Sequence, residues 1–163
     1  MLVIMSYIFI IDNKGNIKKR VKSVIKQRWR FSFLLYIAFL FTITILARYS
    51  SKPVYSGIGT FGIVQNGKWN KEIITNIIIF IPYTFLYIRA FNPVKPIYSS
   101  IKLSIYSTVF IEIFQFLFWV GHGTLADVVH NALGGLIGCV FSYLYTRIKK
   151  QMVSKYYKYT KTL

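Results

Sequence analysis

Four side chains able to do chemistry lie within the stretch TVFIEIFQFLFWVGHGTLADVVHNALGGLIG, Thr108 to Gly138: Glu112, Gln115, Asp127 and Asn131. They are set into two apolar segments joined by a four-residue loop. The whole chain has only 4 acidic residues, and two of them are here. A carboxylate in a segment this hydrophobic is costly in lipid, so it is expected to face other helices and to mark a site. Two carboxyls held in unlike settings suit paired acid and base roles, which makes Glu112 and Asp127 the catalytic candidates if the chain is an enzyme.

Helical spacing groups more polar residues with these four. Ser104, Thr108, Glu112, Gln115 and Trp119 recur at three- and four-residue intervals, so they share one face. Asp127, His130, Asn131, Gly134 and Gly138 share another. Thr124 and Asp127 read as a T-x-x-D helix start, with the acid near the positive end of the helix dipole. Gly134 and Gly138, with Gly135 beside them, are small residues that let a neighbouring backbone approach closely. The turn Gly121–Gly123 is short enough to make the flanking helices antiparallel neighbours.

Glu112 lies eight residues before Val120 and Asn131 seven after Thr124. At the helical rise both sit about 10–12 Å from the same end of their helices. Gln115 and Asp127 match at a shallower level, and Asn76 is near that end of the preceding span. Asn76, Thr108, Glu112, Gln115, Asp127, His130 and Asn131 are therefore expected to line a small polar pocket that opens outward or into the outer leaflet. The competing reading is that these groups only hold helices together, since polar contacts between membrane helices contribute little each. His122, His130 and Asp127 do not have zinc-site spacing, so neither a metal nor a cofactor is expected. Neither an HExxH nor a Ser-His-Asp order is present.

The elements that must position these residues are read from charge segregation. The chain is 55% hydrophobic and carries 21 Lys and Arg, but the cations fall into runs between long apolar stretches. That is the pattern of a multi-pass membrane protein and leaves no soluble segment to present a nucleic-acid surface. The basic runs are expected to lie against the anionic lipids of the inner leaflet. The single Cys139 excludes a disulfide framework.

The expected fold is all-α, with four transmembrane helices in a membrane domain over residues 31–146. Met1–Ile11 is apolar but too short to span, and Lys14–Arg30 holds eight cations, so 1–30 reads as a basic cytoplasmic segment. The spans are Phe31–Ala47, about Ile73–Ile88, about Ile101–Val120 and about Thr124–Thr146, followed by a basic tail over 147–163. The connection before Glu72, with Gly57, Gly59, Gly62 and Gly67, reads as an irregular loop. Pro82 is expected to kink the second span. Placing both termini in the cytoplasm puts 17 cations inside and 4 outside, which follows the positive-inside rule.

From Trp69 to Tyr145 the chain resembles the VanZ-like family of small integral membrane proteins. The resemblance rests on NIIIFIP at Asn76–Pro82, TVFIEIFQ at Thr108–Gln115 and DVVHNALGGLIG at Asp127–Gly138. It departs from the family where Tyr83 and Thr84 replace a usual glycine, and where Gly121 and His122 stand in place of a frequent arginine. The resemblance implies a four-helix protein of the bacterial cell membrane linked to glycopeptide resistance of the teicoplanin type or to envelope maintenance. Three functions fit these features. The first is recognition of an amphiphile, such as a lipid-linked wall precursor or a lipophilic antibiotic. The second is an intramembrane hydrolase or transferase using Glu112 and Asp127, and the third a helper subunit of a transporter or immunity complex.

Overall fold

The computed structural model describes the backbone of residues 2–46, 62, 64–65, 68–118 and 124–160, and the side chains of 17, 19–44, 62, 69–118 and 124–155. Four helices dominate these residues: α1 (Leu2–Leu46), α2 (Lys71–Phe91), α3 (Pro96–Leu117) and α4 (Leu125–Thr160). Between α1 and α2, β1 (Val64–Gln65) pairs antiparallel with β2 (Lys68–Trp69). Trp119, His122, the Gly121–Gly123 turn and the glycines Gly57, Gly59 and Gly67 lie outside the described residues.

Each boundary has a local cause. Asn70 caps α2, its Oδ1 accepting from the backbone N–H of Glu72 and Ile73. Asn92 ends that helix in the left-handed region, φ 51°, and its N–H closes on the Ile88 carbonyl. Pro96 opens α3 at a position where a missing N–H costs nothing. Helix α2 passes through Pro82 without interruption.

Two helices run further than charge segregation suggests. Helix α1 takes in the apolar start, the basic run and the first apolar span as one element of 45 residues, about 68 Å long. Helix α4 continues 14 residues past Thr146. Lysine and arginine are strong helix formers, so a run of them marks where lipid ends without ending the helix.

Contacts fix the relative directions. Tyr36 Oη donates to the Ile79 carbonyl at 2.7 Å, and Phe33 stacks on Tyr83 and packs at a tilt against Tyr87, so α1 and α2 are antiparallel. Asn131 meets Thr108 and Gly135 meets Ser104, so α3 and α4 are antiparallel too. Asn76 pairs with Asp127, Ile77 with Gly134 and Ile81 with Gly138, so α2 and α4 run parallel. Helix α2 is the hub, packed against the other three.

The distribution of polarity is inverted relative to a soluble bundle. Asn76, Thr84, Ser100, Ser104, Thr108, Gln115, Asp127, His130, Asn131 and Ser142 are buried, while Leu34, Phe39, Phe110, Phe116, Leu133 and Phe141 are exposed. So much exposed apolar surface matches a hydrocarbon surrounding rather than water. Among the described residues, three helices are long and apolar enough to cross a membrane: Lys71–Phe91, Pro96–Leu117 and the Leu125–Lys155 part of α4. Residues 19–44 of α1 do not form a fourth such span, because half of that stretch is the basic run.

Candidate functional site: a polar cavity between four helix ends

The end of α1 and the start of α2 lie at the same end of the bundle as the end of α3 and the start of α4. There Asp127 sits in the first turn of α4, beside Thr124. The Thr124 hydroxyl donates to Asp127 Oδ2 at 2.8 Å, and the Asp127 N–H lies 3.3 Å from the same hydroxyl. From α2, Asn76 Nδ2 donates to Asp127 Oδ1. Both carboxylate oxygens thus receive a donor, and the pair fastens α2 to α4.

One turn further along α4, Asn131 Nδ2 donates to Thr108 Oγ1 at 2.9 Å, and that hydroxyl donates on to the Ser104 carbonyl at 2.8 Å. On α3, Gln115 Nε2 reaches the Thr44 carbonyl at 3.0 Å. Thr44 is in the last turn of α1, where a carbonyl has no partner within its own helix, and the glutamine amide supplies one. Asn131 Oδ1 and Gln115 Oε1 remain buried with no hydrogen-bond partner among the described residues.

These groups surround a cavity whose water-accessible volume is about 20 Å³, room for one or two water-sized groups. Its walls come from all four helices: Thr44; Asn76, Ile79 and Phe80; Thr108, Ile111, Glu112 and Gln115; Asp127 and Asn131. Two acceptors without donors among the described residues, next to a half-buried glutamate, can accept from a donor such as a hydroxyl, an ammonium or an amide N–H.

A second space adjoins it. Between α1 and α3 a crevice of about 290 Å³ is walled by Ile37, Leu40 and Phe41 on one side and Tyr106, Ser107, Phe110 and Ile111 on the other. Tyr83, hydrogen-bonded to Ser107 at 2.7 Å, forms its floor. Its volume is at the lower edge of the ~300–1,000 Å³ typical of small-molecule sites. Ile111 borders both spaces.

The structure brings six of the seven binding candidates, Asn76, Thr108, Glu112, Gln115, Asp127 and Asn131, to one cavity. His130 is buried but is not part of that wall. Gly134 and Gly138 lie where α4 meets the backbone of α2, and Gly135 lies against Ser104 of α3. Thr44 was not a sequence candidate; a lone threonine near the end of an apolar span was the available signal. Among the described residues, no three His, Cys, Asp or Glu side chains are grouped to hold a metal.

A family model described as VanZ/LLP1 matches residues 1–146. The chain belongs to the VanZ/LLP1 family. With its apolar helices, that makes it a membrane protein. The match takes in α1 and the hairpin as well as the Trp69–Tyr145 stretch that carries the resemblance in sequence. Protein VanZ of Enterococcus faecium is 35% identical to the chain over 68 residues. That alignment covers 42% of this chain and 42% of the relative. No solved structure matches the chain. VanZ/LLP1 membership thus rests on sequence.

Proposed function

We propose that this VanZ/LLP1 protein sits in the bacterial cytoplasmic membrane as four spans with both termini inside, and receives an amphiphile from the outer leaflet. The 17-to-4 partition of cations supports that orientation. The apolar part of α1 supports a fourth span: it lies alongside α2 at the same depth, with Leu34, Leu35 and Phe39 turned outward.

The observation that carries the reading is the adjacency of the two spaces across Ile111. In this orientation the polar cavity is on the outer side and the apolar crevice one to two turns deeper. An outer-leaflet amphiphile presents its groups in that order, with a polar donor above and an acyl chain below. Lipid-linked wall precursors and lipophilic glycopeptides of the teicoplanin type are the ligand classes that fit both this order and the family. Asp127, with both oxygens engaged, serves to hold α2 against α4, which favours recognition over a hydrolase or transferase built on Asp127 and Glu112. The basic runs at both termini lie against anionic inner-leaflet lipids in the same arrangement.

The test is susceptibility of a sensitive Gram-positive host expressing the chain. The host is challenged with teicoplanin and with a glycopeptide lacking an acyl chain, and membrane levels of each variant are checked. Protection should be selective for the acylated drug and should fall with Asn131→Ala and with Ser107→Phe, which fills the crevice. Equal protection by well-inserted variants would remove the cavity and crevice from the function. If the wild type gives no protection, the antibiotic is not the ligand and the wall precursor is the class left.

A further inference from the structure

At the opposite end of the bundle, α2 and α4 enclose a groove of about 440 Å³ walled by Arg89, Thr146, Lys149, Lys150, Val153 and Ser154. Arg89 is held in place on two sides. Its Nη1 donates to Thr146 Oγ1 at 3.0 Å, and its guanidinium lies 4.8 Å from the ring centre of Tyr145 and 5.6 Å from that of Trp29. Trp29, Phe85 and Tyr145 pack edge to face around it, with centroids 5.8–6.2 Å apart. The Arg89 Nε is buried and has no hydrogen-bond partner among the described residues.

Among the described residues no carboxylate is placed to neutralise that groove. Glu72, Glu112 and Asp127 belong to the far end of the bundle, near the start of α2 and α4 and the end of α3. Asp12, the remaining acid, lies 17 residues before Trp29 on α1, about 26 Å along the helix. Three cations with a fixed guanidinium, a serine hydroxyl and no counter-ion among the described residues suit an anion from outside. Guanidinium and ammonium groups converging with hydroxyls recognise phosphate oxygens in preference to a single carboxylate.

We propose that this groove is a discrete binding site for a phosphate-bearing anion. It is lined by Arg89, Lys149 and Lys150, with Ser154 as a hydroxyl donor; the Thr146 hydroxyl, which donates to the Ser142 carbonyl at 2.8 Å, holds the guanidinium in place. Its position just past the apolar part of α4 is the level of lipid headgroups, and an anionic phospholipid brings the phosphate there already anchored. The site is separate from the cavity at the other end and stands whether or not that cavity takes an amphiphile.

The experiment is native mass spectrometry of the full-length protein, titrated in detergent with phosphatidylglycerol, with phosphatidylcholine and with inorganic phosphate. Wild type should retain one phosphatidylglycerol more tightly than phosphatidylcholine. Lys149→Gln/Lys150→Gln, at two exposed positions, should weaken it by about 30-fold at unchanged thermal stability. Arg89→Gln should weaken it as well. Inorganic phosphate that binds wild type as tightly as the lipid does, and fails on the lysine variant, supports the site with a soluble phosphate as its occupant. Equal retention of the two lipids with no phosphate binding, or wild-type affinity in the lysine variant, overturns the proposal.

Discussion

Replacing Gly134 with alanine should pry α2 from α4. A Cβ built on Gly134 runs into the Ile77 backbone oxygen and stands 2.9 Å from Phe80 Cβ and 3.0 Å from the Ile77 carbonyl carbon. Two of these atoms are main chain, so no rotamer change relieves the contact and α2 itself has to move. Overpacking of this kind costs about 1–3 kcal/mol, and backbone obstruction puts the site in the upper half of that range. Alanine offsets part of this, because it favours a helix over glycine by about 1 kcal/mol. The net expectation is a loss of about 1–2 kcal/mol, or roughly 5- to 30-fold in the unfolding constant. Reversible unfolding in bicelles by steric trapping measures this constant directly. Leu133→Ala, at an exposed position on the adjacent face, serves as the control and should stay within about 0.5 kcal/mol. If Gly134→Ala is as stable as wild type or more so, α4 does not approach α2 as closely as described. The Asn76–Asp127 contact would then need another explanation.

Two further outcomes follow from single contacts. A double-mutant cycle on Asn76→Ala and Asp127→Asn should show a coupling of about 0.6–1.7 kcal/mol, read in the same unfolding assay; strictly additive effects would mean that the pair does not interact in the membrane. Asn92, at φ 51°, should tolerate glycine but lose about 1–2 kcal/mol as valine, because a β-branched side chain is strained in the left-handed region; equal stability of the two variants would contradict the α2 terminus.

Much of the candidate site's arrangement was legible because helix periodicity is a strong constraint once the helices are placed. The stripe of Ser104, Thr108 and Gln115 on α3 and that of Asp127, Asn131 and Gly134 on α4 turn inward as their spacing requires. What stayed hidden was mostly main chain. Gln115 is held by the Thr44 carbonyl, Tyr36 by that of Ile79, and Thr84 donates to the Gly135 carbonyl at 2.9 Å; no pattern of side chains announces a backbone acceptor on another helix. The crevice was hidden for a similar reason, since it exists only where α1 and α3, both leaning on α2, fail to close on one another. Helix α1 runs on through the basic segment, which contains no proline and mostly helix-forming residues, so the change from cationic to apolar sequence at residue 31 does not coincide with a helix boundary. The short hairpin was readable: Asn66-Gly67 between Val64–Gln65 and Lys68–Trp69 is a strong two-residue turn signal, and treating the whole connection as irregular passed over it.

The central claim is that an amphiphile occupies the crevice with its polar group in the cavity at Gln115 and Asn131. A photoreactive benzoylphenylalanine in place of Tyr106, which lines the crevice and is otherwise exposed, tests this in living cells without choosing the ligand beforehand. After irradiation, mass spectrometry of the purified protein should show one dominant amphiphile adduct that is not bulk phospholipid. Its yield should collapse when Asn131→Ala is added. Adducts that match bulk phospholipid composition and do not change with Asn131→Ala would contradict the account.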